Sequence, residues 1–144
     1  MTTDVALNYR VNSIRKALYF VELYIRYFVV FIRLRRYGLK KTVDLCTELS
    51  HSKDTGMADG EFVALTRSLT ESVLKWHLMP NKCVPDSLLP CWFLARRGIK
   101  AEFVIIVRQF PFMAHAQAYW NEMPLTDPPP EWSLPGKFVT LMRK

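Results

Sequence analysis

The chain has 144 residues, half of them hydrophobic and 23% charged, with a net charge of +7; this is the size and composition of one globular domain with a real core, not of a disordered tail. Three cysteines, Cys46, Cys83 and Cys91, are few and odd in number, and no CxxC or matching His pair accompanies them, which argues against a disulfide framework and against zinc held by Cys83, Cys91 and His115. Nine Lys or Arg oppose four Asp or Glu in the first fifty residues, but they alternate with large aliphatics and lack any base-stacking or groove-binding motif, so nucleic acid is not the expected partner.

Met1 to Tyr9 is polar and no cleavable apolar leader follows it, so secretion is not expected and the thiols should stay reduced. Ser13 to Tyr37 reads as a helix, apolar over most of its circumference. Glu22 and Arg26 are i,i+4 partners within it, and Arg15, Glu22, Arg26 and Arg33 make one narrow polar stripe. So apolar a helix needs burial on several sides. It is not a membrane span, because its longest uncharged run, Tyr27 to Ile32, is far short of the ~18 residues a span needs. Lying in a membrane surface, with Arg33, Arg35, Arg36, Lys40 and Lys41 at anionic headgroups, is one reading; core packing plus a partner-binding face is preferred.

The polar stretch His51 to Gly60 reads as a loop. Glu61 to Leu78, with apolar residues at 62, 65, 69, 73 and 76, reads as a helix that Met79-Pro80-Asn81-Lys82 ends. The next segment carries the chemistry. Val84 to Arg97 is mostly apolar and closes on Arg96-Arg97-Gly98, the cationic last turn and left-handed stop of a helix, which puts Cys83 at or just before that helix's start. There the unpaired N–H groups and positive macrodipole end favour thiolate and can bring the pKa below the free value of about 8.5. Pro90 breaks a local rule, costing about 3 kcal/mol in a helix interior: either the helix kinks there, or Cys83 begins an irregular turn and regular helix starts near Pro90.

Ala101 to Val107 is β-branched and short, hence a buried strand, and Ala114 to Trp120 alternates as a second strand carrying His115. A hairpin turn centred on Asn121 would set His115 directly across from Asp127, with Cβ atoms roughly 5 Å apart, so that the carboxylate could hold the imidazole. A two-residue turn at Asn121 and Glu122 would break that register, so the arrangement requires an odd loop. Taken singly, Cys83 could be a small buried hydrophobe, His115 a core histidine and Asp127 a turn former. Their joint placement favours a nucleophile, a general base and an orienting carboxylate. Pro124 to Pro135 reads as an extended tail.

Cys83 at the head of a helix, Arg96-Arg97-Gly98 with Ala101 following, the strand Val104 to Arg108, Pro111-Phe112, Ala114-His115-Ala116 and then Asp127 together resemble the leader peptidase of lasso-peptide biosynthesis, a family of transglutaminase-like cysteine hydrolases. The resemblance covers about a third of the chain closely, and the basic, aromatic-rich N-terminal part agrees in character. It implies an α+β fold, N-terminal helices joined to a transglutaminase-like or papain-like core in which a catalytic helix packs on a small antiparallel sheet. A single domain, residues 1–144, is expected, with a helical part to residue 60 and the catalytic core after it. The implied enzyme is a cytoplasmic cysteine peptidase that removes the leader from a ribosomally made precursor. Cys83 would be nucleophile, His115 base and acid, and Asp127 the orienting residue; the backbone N–H of Cys83 and the side chain of Asn81 are the oxyanion candidates. No cofactor is implied, although the maturation system could need ATP. The implied partners are the precursor, an asparagine-synthetase-like cyclase and, because the chain has no spare length for a leader-recognition domain, a separate small leader-binding protein. Alternatives are another thiol acyl-transfer enzyme of the same fold, an amidase or a transglutaminase, or a non-enzymatic membrane-associated scaffold. The chain departs from the family's pattern at Gln117-Ala118-Tyr119, where an aromatic and then an acidic residue are usual after Ala116, and at Asp86, where a basic or polar residue is usual.

Overall fold

The apolar stretch that opens the chain forms α1 (Ser13–Tyr37). Gly38, at φ 79°, takes the left-handed conformation that stops it, its N–H returning to the Leu34 carbonyl at 3.1 Å, and α2 (Leu39–Thr47) sets off in a new direction. Next come α3 (Asp59–Trp76), with Asp59 and Glu61 in its first turn and Lys75 in its last, as the helix dipole favours, and α4 (Cys83–Ala95). Strands β1 (Glu102–Arg108), β2 (Met113–Trp120), β3 (Met123–Pro124) and β4 (Phe138–Arg143) make one antiparallel sheet in the order β3-β2-β1-β4. The architecture is α+β, as expected. The computed structural model describes residues 13–50, 58–78, 82–108, 112–126 and 138–144; Asn81 and Asp127 fall outside them, as does most of the polar stretch from His51 and of the proline-rich segment.

Helix α4 is the centre of the molecule. From Ser87 to Ala95 every residue is buried, packed by α1, α2 and α3 and against β2. Phe93 stacks on Phe62 of α3, and Tyr19 of α1 meets both rings edge-on at 5.7 and 5.8 Å. Arg97, just past the helix end, lies over the Phe93 ring at 4.0 Å, donates to the Phe93 carbonyl, and pairs with Glu22 of α1 at 3.0 Å. Truncating a ring such as Phe93 at such a junction costs about 3 to 5 kcal/mol. Gly98, at φ 75°, ends the unit: its N–H bonds the Ala95 carbonyl and that of Ile99 bonds Leu94.

In the sheet, Phe103 pairs with Ala118 and Ile105 with Ala116, and all four belong to the core. The alternation of a strand sends His115 and Gln117 to the other face, where both are nonetheless buried.

Several sequence expectations change here. Helix α4 is continuous through Pro90, so Cys83 is its first residue and neither an irregular start nor a later beginning occurs. Helix α1 is not enclosed: Leu23, Tyr27 and Val30 are fully buried, whereas Ile14, Leu18, Val21, Ile25 and Ile32 are more than half exposed. Its buried face packs against α2, α3 and α4. Pro124, expected at the start of an extended tail, pairs with Tyr119 in the edge strand β3. Strand β4 was not expected at all; it pairs with β1, with a bulge in β4 between Thr140 and Met142.

The hairpin register is the largest correction. Trp120 pairs with Met123 and Tyr119 with Pro124, so the turn has two residues, Asn121 and Glu122, at φ 46° and 66°. Positive φ at both is the type I′ turn, whose twist suits paired strands. The odd loop that was to set Asp127 across from His115 is absent.

Candidate active site

Cys83 opens α4, with Lys82 as the capping residue in extended conformation, so its sulfur sits at the positive end of the most buried helix of the fold. The segment meets β2 along the part of its edge that the two-residue β3 leaves uncovered. Ser87 Oγ donates to the Ala116 carbonyl at 2.9 Å, and the thiol hydrogen-bonds His115. One helix turn thus grips one strand residue through its carbonyl and its neighbour through the sulfur.

The electrostatics favour an ionised pair. The hydrogen bond with His115 lowers the Cys83 pKa most; burial opposes it, and backbone N–H groups of Ala116 and Val84 add to the lowering. Burial alone would lower His115, but its hydrogen bonds with Cys83 and Gln117, together with the charges of Cys83 and Asp86, outweigh burial and hold the imidazole above its ordinary value. A thiol pushed down beside an imidazole pushed up moves the pair towards the thiolate–imidazolium form. The other cysteines are unlike it: burial pushes Cys46 up to about 11 and Cys91, wholly buried, further still. None of the three is in a disulfide.

His115 Nε2 lies 2.9 Å from Gln117 Oε1, and Gln117 Nε2 donates to the Thr126 carbonyl just past the I′ turn. Gln117 is 1% exposed. On the other side of the couple Asp86, one turn after Cys83, accepts from the Tyr27 hydroxyl and, at 3.4 Å, from the Lys82 N–H. Burial holds the Asp86 carboxyl above the usual range, although Tyr27, Lys82 and His115 pull the other way. A cavity of about 290 Å³ opens onto the couple, lined by Thr70, Glu71, Leu74 and Lys75 of α3, by Cys83, Asp86 and Ser87 of α4, and by His115 and Thr126. It is a cleft bounded by two helices, β2 and Thr126.

A model of the transglutaminase-like superfamily matches residues 27–143. The chain belongs to that superfamily. Its transglutaminase-like region takes in all of α2, α3, α4, β1, β2 and β3, with Cys83 and His115 inside it. Comparisons with curated proteins and with solved structures returned no match.

Of the four site residues read from the sequence, Cys83 and His115 meet in the transglutaminase-like core, while Asp127 and Asn81 lie outside the described residues. Gln117, Ser87 and the Tyr27–Asp86 link were not foreseen. The signal for Gln117 was present: His115 and Gln117 are the two strongly polar positions of an otherwise small and apolar stretch, two residues apart and therefore on one face.

Proposed function

We propose that the chain is a cysteine peptidase that removes the leader from a ribosomally synthesised lasso-peptide precursor. The observation that carries the hydrolase part is the Cys83–His115 couple at the head of α4, facing a cleft, in a superfamily that includes cysteine peptidases. The leader-peptidase part rests on the resemblance of residues 83–127, and so do the separate leader-binding protein and the cyclase as partners. Cytoplasmic location, with or without contact to a membrane surface, belongs to the same proposal; among the described residues no helix is long and apolar enough to cross a membrane.

The Cys83 thiolate attacks the scissile carbonyl carbon, and His115 protonates the departing amine, leaving a thioester and the freed core peptide. Water then gives its proton to His115 as its oxygen attacks the thioester, releasing the leader carboxylate and restoring the couple. The backbone N–H of Cys83 and the Asn81 side chain are proposed to receive the oxyanion, and Asp127 is the orienting carboxylate that the resemblance supplies.

The test is mass analysis of a lasso-precursor peptide after incubation with the purified protein and a leader-binding protein. Cleavage of one peptide bond with gain of one water, lost in Cys83→Ala, is the expected result. Loss of ammonia with attachment of an added amine would identify a transglutaminase instead, and cleavage by Cys83→Ala would remove the thiol from the chemistry.

A further inference from the structure

We infer that Gln117 is a positioning residue for the Cys83–His115 couple, fixing the imidazole's tautomer with a neutral amide. The inference deepens the thiol-enzyme reading above and rests on it.

The direction of every proton in the chain follows from one end. The Thr126 carbonyl can only accept, so the part of the Gln117 amide facing it is the NH₂ group. Oε1 therefore faces His115, at 2.9 Å from Nε2. A carbonyl oxygen cannot donate either, so Nε2 must carry hydrogen. Nδ1 is then the nitrogen left for the sulfur, unprotonated when His115 is neutral and protonated after it takes the thiol's proton. Gln117 holds Nε2–H in both states, so the ring need not turn as the proton moves.

Position supports the same role. Residues 115 and 117 are neighbours on one face of β2, and Thr126 reaches Gln117 because the two-residue turn brings the chain straight back. Burial keeps water from competing for the amide. An amide orients but carries no net charge, so it favours imidazolium less than a carboxylate at the same place would.

That difference makes the role measurable apart from any peptide substrate. The probe is iodoacetamide, with alkylation of Cys83 followed by peptide mass analysis as a function of pH in the full chain. Wild-type protein should show an inflection below the free-thiol value of about 8.5. Gln117→Met keeps the volume but removes both hydrogen bonds; its inflection should move up towards the free thiol, each unit of displacement slowing alkylation near pH 6.5 about tenfold. Gln117→Glu puts a charge on the ring and should move the inflection down. A Gln117→Met protein with the wild-type inflection overturns the inference. If Gln117→Met does not fold, Gln117→Glu decides alone: a lower inflection supports the role, and an unchanged or higher one overturns it. Because no precursor is used, failure here leaves leader removal standing, and failure of leader cleavage leaves the couple and its amide standing.

Discussion

The Tyr27 hydroxyl donates to Asp86, tying the buried face of α1 to the first turn of the helix that carries the nucleophile. The contact is costly to leave half made, since among the described residues Asp86 otherwise has only the long bond from Lys82.

Tyr27→Phe should therefore lower stability by about 1 to 3 kcal/mol, read from the urea midpoint. Asp86→Asn should be neutral or stabilising at pH 7, because the amide oxygen still accepts from Tyr27 while no charge is buried. The pH dependence has a definite sign. Burial raises the Asp86 pKa in the folded chain, so the folded state holds this proton longer than the unfolded state, and stability falls as pH rises from about 3.9 through the raised value. Asp86→Asn should remove that contribution. An unaltered slope in the mutant would show that Asp86 is not held protonated by the fold.

Thiol reactivity should separate cleanly. At pH 7 and short times, iodoacetamide should add once to the native protein, at Cys83, and Cys83→Ala should take no label. Cys46 and Cys91, held up by burial, should react only after denaturation. Prompt labelling of Cys91 would contradict its place in the core.

Arg97 should not tolerate lysine. Its guanidinium spans Glu22, the Phe93 carbonyl and the Phe93 ring at once, and an ammonium cannot fork or stack in that way. Arg97→Lys should cost about 1 to 2 kcal/mol and Arg97→Leu about 2 to 3, less than for a fully buried pair because Glu22 is 32% exposed and keeps Arg26. Urea midpoints equal to wild type would refute this.

The type I′ turn offers the opposite experiment. Glu122 sits at φ 66°, where a side chain costs about 1 kcal/mol and glycine does not. After the entropy glycine loses on folding, about 0.5 to 1 kcal/mol, Glu122→Gly should still stabilise the chain by up to roughly 0.5 kcal/mol. A lower urea midpoint would mean that the Glu122 side chain contributes more than its backbone strain removes.

Local signals were readable in the sequence and distant ones were not. The start of α4 at Cys83 and its stop at Gly98 follow from neighbouring residues, as do β1 and β2. Strand β4 pairs with β1 across the whole proline-rich segment, and no short-range pattern marks such a pairing. The turn misled because Asn121-Glu122 lacks the glycine that announces a two-residue hairpin. Looking for a carboxylate across the hairpin hid Gln117, which reaches His115 along its own strand. For α1 the apolar count was visible, but which apolar face turns inward is decided by α4, some fifty residues away.

The superfamily match begins at Tyr27, in the middle of α1. Tyr19, Glu22 and Leu23 precede it, yet they supply the edge-on ring over Phe62 and Phe93, the carboxylate for Arg97, and a fully buried side chain. What is shared with relatives and what folds as a unit therefore do not coincide. A gene trimmed to the matching region would keep Cys83, His115 and Gln117 in frame and yet strip the first half of the helix that braces them, so the recombinant fragment should be expressed from Ser13 or earlier to yield an intact site.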